Sequence, residues 1–297
     1  MTHRTTDPTR PYRAEQPASA TRLADDPAAP RLWLLPEYAV PRFAAETGGL
    51  RLLTADERAR HARLPTEGAR RRYLGARLLS RHALSAATGL PPEQWRFRQG
   101  PFGRPEPQPA ADGLRFNLAH TDGLIACVVT RGGACGVDVE RAPASPEAVA
   151  HLARRFAAPE QAELAALTEA ERRARFSELW VLKEAYLKAL GTGLTRPLSG
   201  FTFTGPRPRP YANPRPYANP QPYARRPQPY AHPYPYPSAA PDDRVTVDDP
   251  ELAPGECDRW RFDLLHPGPD HVLAVAAADG RPGAPHCTDL FDLPAGL

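Results

Sequence analysis

No stretch of the 297-residue chain approaches the roughly 20 apolar residues that a membrane-spanning helix needs, so no transmembrane protein is expected. The opening MTHRTTDPTRPYRAEQ lacks an apolar core, which argues against a secretory signal. Its arginines fit a transit peptide, but Asp7, Glu15, Asp25 and Asp26 do not. Cysteine is scarce: residues 127, 135, 257 and 287 form no CxxC pair, zinc spacing or dense disulfide frame. A cytoplasmic protein with reduced, packed thiols is the plain expectation. Lysine is scarcer still. Of 38 basic residues only Lys183 and Lys188 are lysines, and they stand five apart. A chain that otherwise uses arginine and keeps a compact, flexible ammonium at two neighbouring positions marks that segment.

The charge that is present is unevenly placed. Residues 51–104 hold twelve arginines against Asp56, Glu57, Glu67 and Glu93, a net +8 in a chain whose total is +4. Concentrated positive charge predicts an anionic partner: nucleic acid, a polyphosphate ligand or an acidic protein. A solvated helix face accounts for some of these arginines but not for the excess.

Residues 1–30 show no periodicity and are expected to be a disordered tail. Strand-like RLWLL (31–35) opens the fold. Thr54 with Glu57 three residues on gives a capping-box spacing, and a second helix is predicted over 67–87. WRFR (95–98), RFNLAH, LIACVVT and GVDVE (136–140) read as strands, helices are predicted over 146–167 and 169–190, and FTFTG, RWRFDLL and HVLAVAA as further strands. Two local echoes suggest duplication. RFNLAHTDGLIACVV is similar to RFDLLHPGPDHVLAVAA, and the arginine-rich helix at 70–84 to RARFSELWVLKEAYLKAL. The expected fold class is α+β: two similar α+β halves, 31–135 and 136–280, with the active site in the cleft between them. Residues 281–297 read as a tail. Residues 206–241, with thirteen prolines and six of the ten tyrosines, read as a polyproline-like insertion into the second half.

GVDVE carries the first chemical signal. On a strand Asp138 and Glu140 share one face while Val137 and Val139 take the other, so the two carboxylates make a half-site for a hard divalent cation. As plain surface acids they would mean nothing. FSELWVLKEAYLKALGTGL (176–194) adds the second signal: Trp180, Glu184 and Lys188 fall at i, i+4 and i+8 on one helix face, with Gly191 or Gly193 to end the helix. Glu184 and Lys188 could be a surface ion pair. With Asp138 and Glu140, Glu184 would instead complete a metal site gripping a pyrophosphate, magnesium being the usual ion, and the lysines would neutralise the leaving phosphate.

G-V-D-V-E followed about 40 residues later by W-x-x-K-E-A-x-x-K-A-x-G-x-G resembles the signature of 4′-phosphopantetheinyl transferases, in the monomeric, pseudo-duplicated Sfp-type class. The resemblance covers about 31–205 and 242–280. It implies transfer of phosphopantetheine from coenzyme A to a serine of an acyl or peptidyl carrier protein, with release of adenosine 3′,5′-bisphosphate. By resemblance Asp138, Glu140 and Glu184 hold magnesium, Asp138 against the coenzyme. Glu184 helps deprotonate the carrier serine, Lys188 stabilises the departing phosphate, and Lys183 lies beside the phosphates. Glu160, in RRFAAPEQ, is a second base candidate. Arg104 in the turn G-R-P (103–105) is a phosphate contact, His120 meets the 3′-phosphate region, and Arg60 and Arg71 align with coenzyme-binding positions. Ala119, Thr121 and Val181 depart from the family pattern, and none of them is a metal ligand. The implied protein is a cytoplasmic monomer that binds neither nucleic acid nor membrane and activates carriers of polyketide, nonribosomal peptide or fatty-acid synthesis, secondary metabolism being the expectation. Without the resemblance, His120 reads as a strand-end histidine satisfied by backbone. A metal-dependent nuclease or phosphohydrolase, and a non-enzymatic nucleic-acid-binding protein, are the competing readings.

Overall fold

The computed structural model describes residues 30–100, 103–110, 113–205, 244–279 and 286–289. The expected N-terminal tail, residue 30 apart, and the insertion at 206–241 lie outside the described residues. The first half runs β1 (Arg31–Pro36), α1 (Val40–Thr47), α2 (Ala55–Arg63), α3 (Glu67–Thr88), β2 (Arg96–Gln99), β3 (Pro105–Gln108), β4 (Leu114–Thr121) and β5 (Leu124–Arg131). The second runs β6 (Cys135–Arg141), α4 (Pro146–Leu152), α5 (Ala158–Ala165), α6 (Glu169–Leu190), β7 (Thr202–Thr204), β8 (Thr246–Asp248), β9 (Trp260–Leu265) and β10 (His271–Ala278).

Local chemistry sets these boundaries. Thr54 Oγ1 accepts from Glu57 N–H and Glu57 accepts in return from Thr54 N–H, so α2 starts on the predicted capping box. Gly191, with φ +73°, ends α6 in the left-handed region. The single helix expected over 146–167 is two. Phe156 and Ala157 are extended, and Pro159 occupies the first turn of α5, where its missing N–H costs nothing; inside a continuous helix it would break the hydrogen-bond ladder. Part of the expected C-terminal tail is also structured: β11 (His286–Asp289) runs parallel to β1.

One sheet has the order β11-β1-β5-β4 and another the order β6-β10-β9, while β2-β3 and β7-β8 are two-stranded. The order β1-β5-β4 of the first half is matched by β6-β10-β9 in the second, and each half lays a 22-residue helix, α3 or α6, against its sheet. α3 packs on Trp33, Leu35, Phe116, Ile125 and Cys127. α6 packs on Val272, Ala274, Ala276 and Trp260. The opposite faces of the two sheets meet through Leu32, Ala126 and Val128 from the first half and Val137, Val139, Leu273 and Val275 from the second. Asn117 of β4 crosses this seam, its Oδ1 accepting from Val137 N–H at 3.0 Å.

Period-2 alternation therefore sends Val137 and Val139 into the seam and Asp138 and Glu140 under α6. What lets β6 come so close is Gly136. A Cβ there would lie 2.0 Å from the Ala185 carbonyl oxygen and 2.6 Å from Ala189 N, both rigid helix backbone. Gly136→Ala must push β6 off α6 and is expected to cost about 1–3 kcal/mol in urea unfolding. An unchanged midpoint would show that the contact is not tight.

Candidate active site

Four of the predicted residues converge where β6 runs beneath α6. Lys188 donates from Nζ to Asp138 Oδ1 at 2.5 Å and to the Val137 carbonyl at 3.3 Å. Glu140 Oε2 accepts from Thr121 Oγ1 at 3.4 Å, which ties the end of β4 to the cluster. Asp138 Oδ2 and Glu184 Oε1 are buried and have no hydrogen-bond partner. An oxygen of a buried carboxylate left unpaired is costly unless a ligand completes it.

The electrostatics agree. Burial raises all three carboxyl groups above their ordinary values: Asp138 against the partial relief of Lys188, Glu140 with the added charge of Asp138 and Glu184, and Glu184 with that of Asp138. Three carboxylates and one ammonium leave an excess of negative charge that a dication would neutralise. Among the described residues no three such groups already stand as a finished metal cage. The unpaired Asp138 and Glu184 oxygens and the repelling carboxyls nevertheless fit a hard cation, which also takes oxygen ligands from substrate phosphates.

The basic segment faces the same end of β4. Glu37, buried just after β1, accepts from Arg71 at 3.2 Å, from Arg72 at 2.9 Å and from Gly123 N–H at 3.0 Å. Burial works to raise the Glu37 carboxyl, but these donors prevail and hold it below its ordinary value. Arg71 also meets Glu67 at 2.7 Å, and Arg72 meets Asp122 at 2.6 Å. His120, one residue before Thr121, is exposed by surface area. The protein mass around it and the charges of Arg72 and Lys188 push its imidazole below the ordinary value. Arg60 lies over the Tyr73 ring at 5.8 Å. Part of the +8 is architectural: Arg81 is fully buried on Glu57 at 2.6 Å, with Arg77 beside the same carboxylate.

The structure does not bring three predicted residues to the cluster. Lys183 and Glu160 form a fully buried pair at 2.8 Å in the core of the second half. Lys183 Nζ also donates to the Leu198 and Phe201 carbonyls, each at 2.8 Å, and stands 4.3 Å from the Phe201 ring centroid. Glu160 accepts from Ala157 and Phe203 N–H groups. Lys183 and Glu184 are neighbours on α6 and point about 100° apart, so Lys183 turns into the core while Glu184 stays beside Asp138. Arg104 donates to four backbone carbonyls, Lys188 and Ala189 at the carboxyl end of α6, Phe116 of β4 and Cys135 of β6. A cavity of about 470 Å³ opens there, lined among others by Leu114, Ala134 and Gly191, and it contains none of the three acids. Sequence reasoning missed Glu37 and Asp122, and it named Arg72 only as one of twelve arginines and Thr121 only as a departure from the family pattern. Their common signal is proximity to strand ends, which has meaning only once β1, β4 and α3 are placed together.

The family pattern of the 4′-phosphopantetheinyl transferase superfamily matches residues 134–232. A Nostoc protein named 4′-phosphopantetheinyl transferase HetI is 32% identical over 188 residues, 61% of this chain and 75% of the relative. A Bacillus subtilis protein named 4′-phosphopantetheinyl transferase is 33% identical over 137 residues, 46% of this chain and 58% of the relative. Another from Bacillus subtilis strain 168, named Sfp, is 29% identical over 136 residues, again 46% and 58%. The chain belongs to the 4′-phosphopantetheinyl transferase superfamily and is a transferase.

Glu184 binds its proton more tightly folded than unfolded, so folding takes up protons between its ordinary and its raised value, and stability from this group falls as pH rises through that window. Glu184→Gln in metal-free protein is therefore expected to gain stability over wild type at pH 8 and to lose that gain once the pH falls below the ordinary carboxyl value, at about pH 4, read by urea unfolding at each pH. Equal differences at both values would refute the strained cluster. Lys183→Ala leaves Glu160 buried without its cation and is expected to lose about 3–5 kcal/mol. If Lys183→Ala unfolded at the wild-type midpoint, the buried pair would not be a support of the fold.

Proposed function

We propose that the protein transfers the 4′-phosphopantetheine arm of coenzyme A to a serine of an acyl or peptidyl carrier protein, acting as a magnesium-dependent cytoplasmic monomer in secondary metabolism. The single observation behind this is the carboxylate group under α6, Asp138, Glu140 and Glu184, with its unpaired buried oxygens and Lys188 alongside. Those three residues would hold the magnesium against the pyrophosphate of the coenzyme. When bound, the ion neutralises charge on the pyrophosphate.

The chain's own residues divide the remaining work. Glu184, whose carboxyl sits above its ordinary value, takes the proton of the carrier serine, directly or through a water. The serine oxygen then bonds to the phosphorus bearing the pantetheine arm, and the bond from that phosphorus to the oxygen shared with the adenosine side breaks. Lys188, partly exposed and already an ammonium donor, stabilises the departing phosphate of adenosine 3′,5′-bisphosphate. Arg60 and Arg71 of the first half would bind the coenzyme, and His120 would meet its 3′-phosphate region. For Arg71 that means exchanging Glu37 and Glu67 for the ligand. The matching strand orders of the two halves support a duplicated ancestry with the coenzyme bound between them. Among the described residues no helix is long and apolar enough to cross a membrane.

Incubating an apo carrier protein with coenzyme A and magnesium should add one phosphopantetheine mass by mass spectrometry. Glu184→Gln should slow that gain at least about 100-fold while its circular dichroism stays native. Transfer at the wild-type rate by Glu184→Gln would overturn the assignment.

A further inference from the structure

We propose that Arg104 is a positioning residue: a clamp that holds the carboxyl end of α6 across the seam and thereby sets where Lys188 stands relative to Asp138. One guanidinium nitrogen donates to the Lys188 carbonyl at 3.0 Å and to the Ala189 carbonyl at 3.4 Å. The other donates to the Phe116 carbonyl at 3.4 Å and the Cys135 carbonyl at 3.3 Å. These acceptors belong to three elements: α6, β4 and β6. Arg104, just before β3, and Phe116 come from the first half, the other three acceptors from the second.

The chemistry suits arginine. The last carbonyls of a helix have no intrahelical donor and carry partial negative charge, so a cation at that end is favourable. A planar fork of five N–H groups can serve four separate oxygens at once, which a single ammonium nitrogen on a flexible stem cannot. The clamp lies against the helix cap. A Cβ at Gly191 would stand 3.8 Å from the Arg104 guanidinium, and Gly191 N–H itself donates to the Leu187 and Lys188 carbonyls.

The consequence reaches the reacting groups through the backbone. Cys135 begins the strand that carries Asp138 three residues later, and Lys188 is the residue whose ammonium holds Asp138. Arg104 thus grips the main chain of Lys188 itself and the start of the strand that carries Asp138, three residues before it. With the clamp gone, the last turn of α6 is free to slide on β6, and the Lys188–Asp138 contact moves with it. This differs from a phosphate contact, which would leave the guanidinium facing ligand rather than committed to four carbonyls. The kinetic part of the argument rests on the transferase reading above, whereas the clamp itself does not.

The test uses Arg104→Ala and Arg104→Lys in the full chain, with two measurements. In the first, hydrogen exchange by mass spectrometry is expected to speed up about tenfold or more over residues 185–192 and 134–139 in both variants, since both segments lose a shared anchor. In the second, kcat for coenzyme A is expected to fall about tenfold or more with KM within about twofold, since small displacements of a reacting group cost rate rather than binding. Arg104→Lys should not rescue either readout. Rescue by Arg104→Lys, or a rise in KM alone with unchanged exchange, would overturn the clamp and restore a phosphate contact. Should Arg104→Ala fail to fold, Arg104→Lys carries both measurements. Should the wild-type protein transfer nothing, the function reading falls, and exchange still decides the clamp: faster exchange supports it and unchanged exchange overturns it.

Discussion

The contact of β6 with the backbone of α6 is the constraint on which the site depends. Gly136 leaves no atom between strand and helix, with the Ala185 carbonyl where a Cβ would be. Two residues further on, Asp138 is already under the helix, within reach of Lys188. A larger spacing would let water reach the Asp138 and Glu184 oxygens that are now buried and unpaired. Water would relax the raised carboxyls toward their ordinary values and remove the reason for a cation to bind. Packing and chemistry are the same fact at this point: the apolar seam of Val137, Val139 and Val275 holds the back of the strand while the front holds charge.

The two lysines of the chain divide between these tasks. Lys183 is enclosed by Phe156, Phe201 and Phe203 and paired with Glu160, so its charge is spent inside the fold. Lys188, five residues on, reaches the carboxylates with part of its side chain still exposed. The arginines also divide. Arg81 and Arg77 build the α2–α3 contact through Glu57, whereas Arg71 and Arg72 pair with Glu37. Glu37 also receives Gly123 N–H, so it fixes the turn after Thr121 as well as the arginines.

Much of this was readable from residues. The period-2 pattern of GVDVE and the i, i+4 spacing of Glu184 and Lys188 each define a face, and the two faces do meet. The capping box at Thr54, the glycine cap at 191 and most strands follow equally local rules. What could not be read depends on partners distant in the chain. α6 is buried nearly all round, so its pattern does not separate Lys183 from Lys188. The carbonyl partners of Arg104 are likewise invisible until α6, β4 and β6 are placed around it. Glu37 is one acid after one strand, with no pattern to announce it. The polar four-residue β11 carries no strand signature, and the break between α4 and α5 is marked only by Pro159.

The most direct test of the central claim is calorimetric titration of coenzyme A into the protein with magnesium and then with EDTA, for wild type and Glu184→Gln. A carboxylate site that grips the pyrophosphate through a dication predicts affinity at least about tenfold tighter with magnesium in wild type, and no such gain in Glu184→Gln. Equal affinity in magnesium and in EDTA would contradict it.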